Sequence, residues 1–339
     1  MKVNMEKWRK ELISSERTPA FPLMSNFGVS LKGFSIKDAV TDGEKQASGI
    51  KAISEAFDLC AFVTLMDLSV EAEAFGCEVS MEENEIPTVR KSVVTDMASA
   101  VKLEVPDPAL KRTSVYIKAA GLCSGEISKP MFGCLIGPFS LAGRLMDMTN
   151  IFVSLFHNPD MVHLVLEKCA AFLTAYATAF KKAGASGILM AEPAGSLISP
   201  AQCAEFSSSY IRKIVEAVQD DYFTVILHNC GKTLRHVETM LSTGAKALHF
   251  GNAVDLELVA PKIPSETIFM GNLDPVSVFM NGSPHDVTEK TNQLLEAMKD
   301  CRNYIISSGC DIPPGTGRAN FDAFFNAVTV YNQHKKEFR

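Results

Sequence analysis

Three residues in this chain are of types that bind a soft metal ion: His228 and Cys230 in FTVILHNC (223–230), and Cys310 at the end of NYIISSGC (303–310). Each sits at the close of a short apolar run. Along an extended strand end, two residues separated by one turn to the same side, so His228 and Cys230 share a face. In a closed sheet the last strand returns beside its earlier neighbours, which brings Cys310 within reach of that face. Two thiolates and an imidazole favour zinc over magnesium or calcium, and three protein ligands leave a fourth position for substrate. That is the donor set of a catalytic site. Placement at strand ends and the adjoining Gly231 and Gly309 strengthen the metal reading for these three.

Positioning such a cluster requires strands whose ends converge. Eight apolar runs ending in small or polar residues recur along the chain, at 19–25, 60–67, 131–138, 187–193, 223–230, 247–252, 267–275 and 303–310. Between them lie helical patterns such as MVHLVLEKCAAFLTAYATAFKKAG, AQCAEFSSSYIRKIVEAVQD and PHDVTEKTNQLLEAMKDC, several of which stop at a glycine. SVYIKAAGLC (114–123) reads as a further helix. Strand and helix alternate, which predicts an α/β protein with a parallel sheet. With no linker or internal repeat in 339 residues, the expectation is one domain over 1–339, a (β/α)8 TIM barrel with an N-terminal helical extension. A doubly wound open sheet is the alternative, because periodicity does not report closure.

In a barrel, functional side chains gather at the C-terminal strand ends. Besides the three ligands, those ends carry Asp67, Glu192, Asn252, Asp274 and Asp311. Glu192 and Asp274 are candidates to orient substrate or carry a proton, and Asp67 and Asn252 are candidate substrate contacts. His249 lies near a strand end too and reads either as a partner to a ligating imidazole or as a core histidine. His157, His163, His236, His285 and His334 fall on helices or loops and read as surface or internally satisfied residues.

The composition excludes several classes. A net charge of −6 and the lack of a Lys/Arg-rich run leave no footprint for nucleic acid or an anionic membrane. The N-terminus, MKVNMEKWRKELISSERTP, lacks the apolar core of a signal peptide, and no apolar run approaches a membrane span. Nine cysteines, an odd number scattered through apolar segments, suit a reducing compartment; the chain is expected in the cytoplasm. Nucleotide-binding glycine loops, the G-x-S-x-G elbow and H-E-x-x-H are all missing.

On DLSVEAEAFGCEV (67–79), GPFSLA (137–142), AEPAGSLISP (191–200), LHNCGKT (227–233), GNLDPVSVF (271–279) and SSGCDIPPGT (307–316), the chain resembles the uroporphyrinogen decarboxylase superfamily, and within it the zinc-dependent methylcobamide:coenzyme M methyltransferase branch. The decarboxylases carry an R-Q-A-G-R motif and an N-L-G-H-G motif. This chain has PLMSNFG and SSGCD at those places. What it shares with the methyltransferases is H-x-C followed much later by C, which His228, Cys230 and Cys310 match in order.

The resemblance implies a zinc that binds an acceptor thiol, whose thiolate attacks the methyl group of a methyl-Co(III) corrinoid. A cobalt-binding D-x-H-x-x-G motif is missing, so the corrinoid is expected on a separate small protein that docks over the barrel mouth. The fourth zinc position is left among Glu192, His249 and water. Three readings follow: methyl transfer between a corrinoid protein and a thiol-type acceptor such as coenzyme M, in either direction; metal-free decarboxylation of a tetrapyrrole; and a non-catalytic zinc-binding partner of a corrinoid protein.

Overall fold

The computed structural model describes residues 2–337. Among them are nine strands: β1 (Phe62–Val63), β2 (Glu78–Ser80), β3 (Thr88–Lys91), β4 (Met131–Ile136), β5 (Gly187–Ala191), β6 (Thr224–Asn229), β7 (Ala247–Phe250), β8 (Ile268–Leu273) and β9 (Tyr304–Ser308). Seven form one curled sheet in the order β1-β4-β5-β6-β7-β8-β9, every pair parallel. That order follows the sequence without reversal, so there is no switch point and the doubly wound alternative is excluded. Helices cover the outside, giving a TIM-barrel-like α/β fold.

The expected first strand, 19–25, is a correction. Only Ala20 bridges, to Ile306, and the chain turns into the helix Ser25–Leu31. Pro19 and Pro22 explain this: neither has an N–H to donate to a ladder. The segment nonetheless lies between the sheet's two edges. Phe21 N–H donates to the Ile306 carbonyl (2.9 Å), Ile306 N–H to the Pro19 carbonyl (3.0 Å), and Cys60 N–H to the Ala20 carbonyl (2.9 Å). A second difference is the antiparallel hairpin β2–β3, which lies outside the expected strands. The segment 114–123 is helical as expected, within Thr113–Glu126.

Side chains on each strand alternate between two cores. Val63, Phe132, Cys134, Leu189, Ile226, Ala247, Ile268, Met270 and Ile305 point into the curl and form a small inner cluster. Their neighbours Phe62, Met131, Leu135, Ile188, Val225, Leu248, Phe269 and Tyr304 face the helices. The longest helix, Pro159–Ala183, ends on Gly184 in the left-handed conformation (φ +103°) and buries Val165, Cys169, Phe172, Tyr176 and Phe180 in that outer layer. The expected N-terminal helix is Met5–Ser14. Its Met5, Trp8, Leu12 and Ile13 pack on the inner cluster, and Met5 N–H donates to Asp221 just before β6. This helix therefore plugs the curl at the N-terminal strand ends, opposite the end that carries the candidate ligands.

Candidate metal centre

Strand parity places the ligands. Ile226 belongs to the inner cluster, so His228, two residues on, also turns inward, and Cys230 extends the same series past the end of β6. Gly251 allows the close approach of β7's end: a Cβ there would lie 2.4 Å from the Cys230 Cα. Gly309 plays the same part beyond β9, where a Cβ would lie 2.5 Å from the Asn252 backbone nitrogen. Tight crossings at these two glycines bring Cys310 back toward β6.

The three donor atoms of His228, Cys230 and Cys310 all lie within 4.8 Å of one another, and Cys310 Sγ is 3.6 Å from His228 Nε2. A tetrahedral zinc with ligands at about 2.0–2.3 Å spaces its donors about 3.5–3.8 Å apart, so these residues fit such an ion. His228 is buried and both cysteines are half-buried, which leaves one side of the cluster facing the mouth. Cys310 first, and then His228, both set against its sulfur, hold the Cys230 thiol well below its ordinary range. Cys310 is pushed up, first by its bond to Cys230 and then by burial.

His228 Nδ1 lies 2.8 Å from His249 Nδ1, and His249 Nε2 lies 2.9 Å from Ser307 Oγ. Both ring nitrogens of His249 are therefore turned away from the thiols. Glu192 is likewise occupied. Its Oε1 accepts from Ser140 N–H (2.7 Å) and the Ser140 hydroxyl, and its Oε2 accepts from Phe139 N–H (2.9 Å). These donors open the helix Pro138–Met146, a favourable seat for a carboxylate. Burial still raises Glu192 to about 6, against the hydrogen bonds of Ser140 and Phe139. Neither residue, as placed, is a fourth ligand.

The other candidates separate into two groups. Asp67 is buried with every oxygen engaged: Oδ1 accepts from Ser69 N–H (2.9 Å) and Ser69 Oγ–H (2.6 Å), Oδ2 from Arg112 and Tyr116 Oη–H (3.1 Å). Asn252 and Asp274 meet each other on the rim, Asn252 Nδ2 donating to Asp274 Oδ2 at 2.9 Å. Asp274 Oδ1 also caps Pro275–Met280 by accepting from Val276 and Ser277 N–H, each at 2.8 Å.

Sequence reasoning missed Ser307, whose partners Phe21 and His249 are far along the chain, and Glu71. Glu71 Oε1 accepts from Ile136 N–H (3.0 Å), its Oε2 has no hydrogen-bond partner among the described residues, and burial pushes its carboxyl up to about 8. Asp311, noted only as a strand-end residue, is also raised to about 8 by burial and accepts from Asn26 Nδ2 at 2.6 Å.

The methylcobamide:CoM methyltransferase MtbA of Methanosarcina acetivorans is 30% identical over 299 residues, covering 87% of this chain and 86% of that protein. A uroporphyrinogen decarboxylase of Pseudomonas paraeruginosa is 28% identical over 282 residues, covering 80% and 78%. Among solved structures, one described as a methyltransferase from Methanosarcina mazei superposes with a TM-score of 0.86 over 97% of this chain and 99% of that one, at 21% identity, which speaks to the fold alone. The family model described as Uroporphyrinogen decarboxylase (URO-D) matches residues 12–331. With that match spanning nearly the whole sequence, the chain belongs to the uroporphyrinogen decarboxylase (URO-D) family.

Proposed function

We propose that this chain is a zinc-dependent methyltransferase that moves a methyl group between a methylcobamide carried by a small separate protein and a thiol-type acceptor such as coenzyme M. The observation that carries the reading is the convergence of His228, Cys230 and Cys310 from the ends of β6 and β9 into one soft donor set. Its likeness over most of both chains to a methylcobamide:CoM methyltransferase supports it.

His228, Cys230 and Cys310 would hold the ion, leaving the mouth side for the acceptor. Bound there, zinc supplies a position at which a thiol gives up its proton readily and becomes a nucleophile at neutral pH. Asn252 and Asp274, tied to each other beside Gly309, are the rim residues placed to meet the rest of the acceptor. Glu192 and Asp67 act as positioning residues, since their oxygens are engaged in holding Phe139–Ser140 and Arg112. The loops leaving β5 and β8 carry exposed Leu197, Val276 and Met280, which supply an apolar rim for the carrier protein.

The same reading takes residues 1–339 as one domain and the segment Pro19–Phe21 as the eighth member of a (β/α)8 barrel, on the strength of its hydrogen bonds to both sheet edges. It places the protein in the cytoplasm, supported by nine free cysteines. No helix among the described residues is long and apolar enough to cross a membrane.

Elemental analysis of wild type and of a Cys230→Ser/Cys310→Ser variant tests the proposal. The expected result is about one zinc per chain that disappears in the variant, together with loss of methyl transfer from methylcobalamin to thiols. A folded, metal-supplemented wild type without zinc sinks it and favours the metal-free decarboxylase reading that the Pseudomonas relative suggests.

A further inference from the structure

A chain of polar contacts runs from the donor cluster to the wall of the sheet. It comprises His228 Nδ1 to His249 Nδ1 at 2.8 Å, His249 Nε2 to Ser307 Oγ at 2.9 Å, and Ser307 Oγ to the Phe21 carbonyl at 2.6 Å. Every side chain in it is buried, His249 and Ser307 completely. Parity puts them there, because His228, His249 and Ser307 continue the inward series of Ile226, Ala247 and Ile305 on β6, β7 and β9.

The hydrogens can be assigned from one fixed end. A carbonyl oxygen only accepts, so the single hydroxyl proton of Ser307 is committed to Phe21. Toward His249, Ser307 is then an acceptor, and His249 carries its proton on Nε2. A wholly buried imidazole with no carboxylate against it is neutral, which leaves His249 Nδ1 as an acceptor. His228 must therefore carry its proton on Nδ1. Its Nε2 lone pair is left bare and faces Cys310 Sγ at 3.6 Å.

We infer that His249 and Ser307 are positioning residues that lock His228 in the tautomer able to bind a metal, with the Phe21 carbonyl as the anchor of the relay. This rests on the reading that the cluster holds zinc. It goes further in assigning an unusual task, since the partner of the ligating imidazole is a second, neutral histidine rather than a carboxylate. A neutral partner adds no negative charge to a site already holding two sulfur ligands. It restricts the ring by hydrogen-bond direction alone.

Chelator competition with Zn²⁺ separates the possibilities, using wild type, His249→Leu and His249→Asn. Asparagine keeps an acceptor oxygen near the place of Nδ1, whereas leucine keeps only volume. We expect His249→Leu to bind zinc 10–100-fold more weakly, the usual loss when the support of a metal-binding imidazole is removed, and His249→Asn to stay within about threefold of wild type at similar thermal stability. Ser307→Ala should weaken binding in the same direction by a smaller factor. Nitrogen-15 NMR of metal-free wild type needs no variant to fold and should find the His228 proton on Nδ1. Equal affinity in wild type and His249→Leu, an equal loss in both His249 variants, or a His228 proton on Nε2 overturns the relay. Wild type that binds no zinc at all instead defeats the underlying metal reading, and is told apart because the comparison then has no starting affinity.

Discussion

Two polar clusters stand at the C-terminal end of the same sheet, and they differ in what their atoms already hold. Around Asp67, every carboxylate oxygen is met by Ser69, Tyr116 or Arg112, and Arg112 in turn binds Glu73. Around His228, the ring's outer nitrogen and two thiols face one another, and among the described residues no other side chain is hydrogen-bonded to these three atoms. Both sets are at strand ends, so position alone does not mark function. The first cluster is closed by its neighbours, whereas the second keeps donor atoms in hand, as the proposed metal site requires.

The largest test of that contrast is Asp67→Ala. It leaves the buried Arg112 guanidinium with Glu73 as its remaining carboxylate, at a cost of about 3–4 kcal/mol, below the full penalty of an unpaired buried charge, measured by urea unfolding, while zinc stoichiometry in whatever folds should stay at wild-type level. A variant that keeps its stability but loses zinc would erase the distinction between the clusters.

Glu71 sharpens it with pH. The folded-state carboxyl is raised to about 8 from an ordinary 4.5, so the stability it contributes is fully present below about 4.5 and is lost as pH rises through about 8. Glu71→Gln, which keeps an acceptor for Ile136, should match wild type near pH 4.5 and gain on the order of 3–4 kcal/mol over it at pH 8. Urea midpoints at the two pH values check this, and a parallel offset at both would show that Glu71 is ionised throughout.

Asp274→Ala is the smallest effect. Losing the cap of Pro275–Met280 should cost about 1 kcal/mol, read as a modest fall in melting temperature. Since Asp274 also holds Asn252, the same variant should raise the acceptor's KM with little change in zinc content; an unchanged KM would remove this pair from the rim.

What could be read without a structure follows from how local the information is. His228 and Cys230 were legible because parity along one strand is a two-residue rule. Cys310 was legible because an apolar run announces β9 and a closing sheet returns it to its start. The role of His249 stayed open because Ser307 is 58 positions away in sequence. Glu192 and Asp67 looked available because the groups that engage them, Ser140 and Arg112, lie 52 and 45 positions away. Pattern also overstated 19–25 as a strand, where prolines on either side of Ala20 and Phe21 cut the ladder to one bridge.

The helix Met5–Ser14 has a consequence for the order of events. By filling the lower end of the curl with Met5, Trp8 and Leu12, it closes that end and leaves the mouth as the approach to the donor cluster. On the proposed reading, a carrier protein seated on the mouth covers the opening at that end, so the small acceptor must enter before the carrier arrives and its product must wait until the carrier departs. Steady-state kinetics should then show a compulsory sequence, acceptor first, with excess carrier protein slowing turnover by stoppering an empty site.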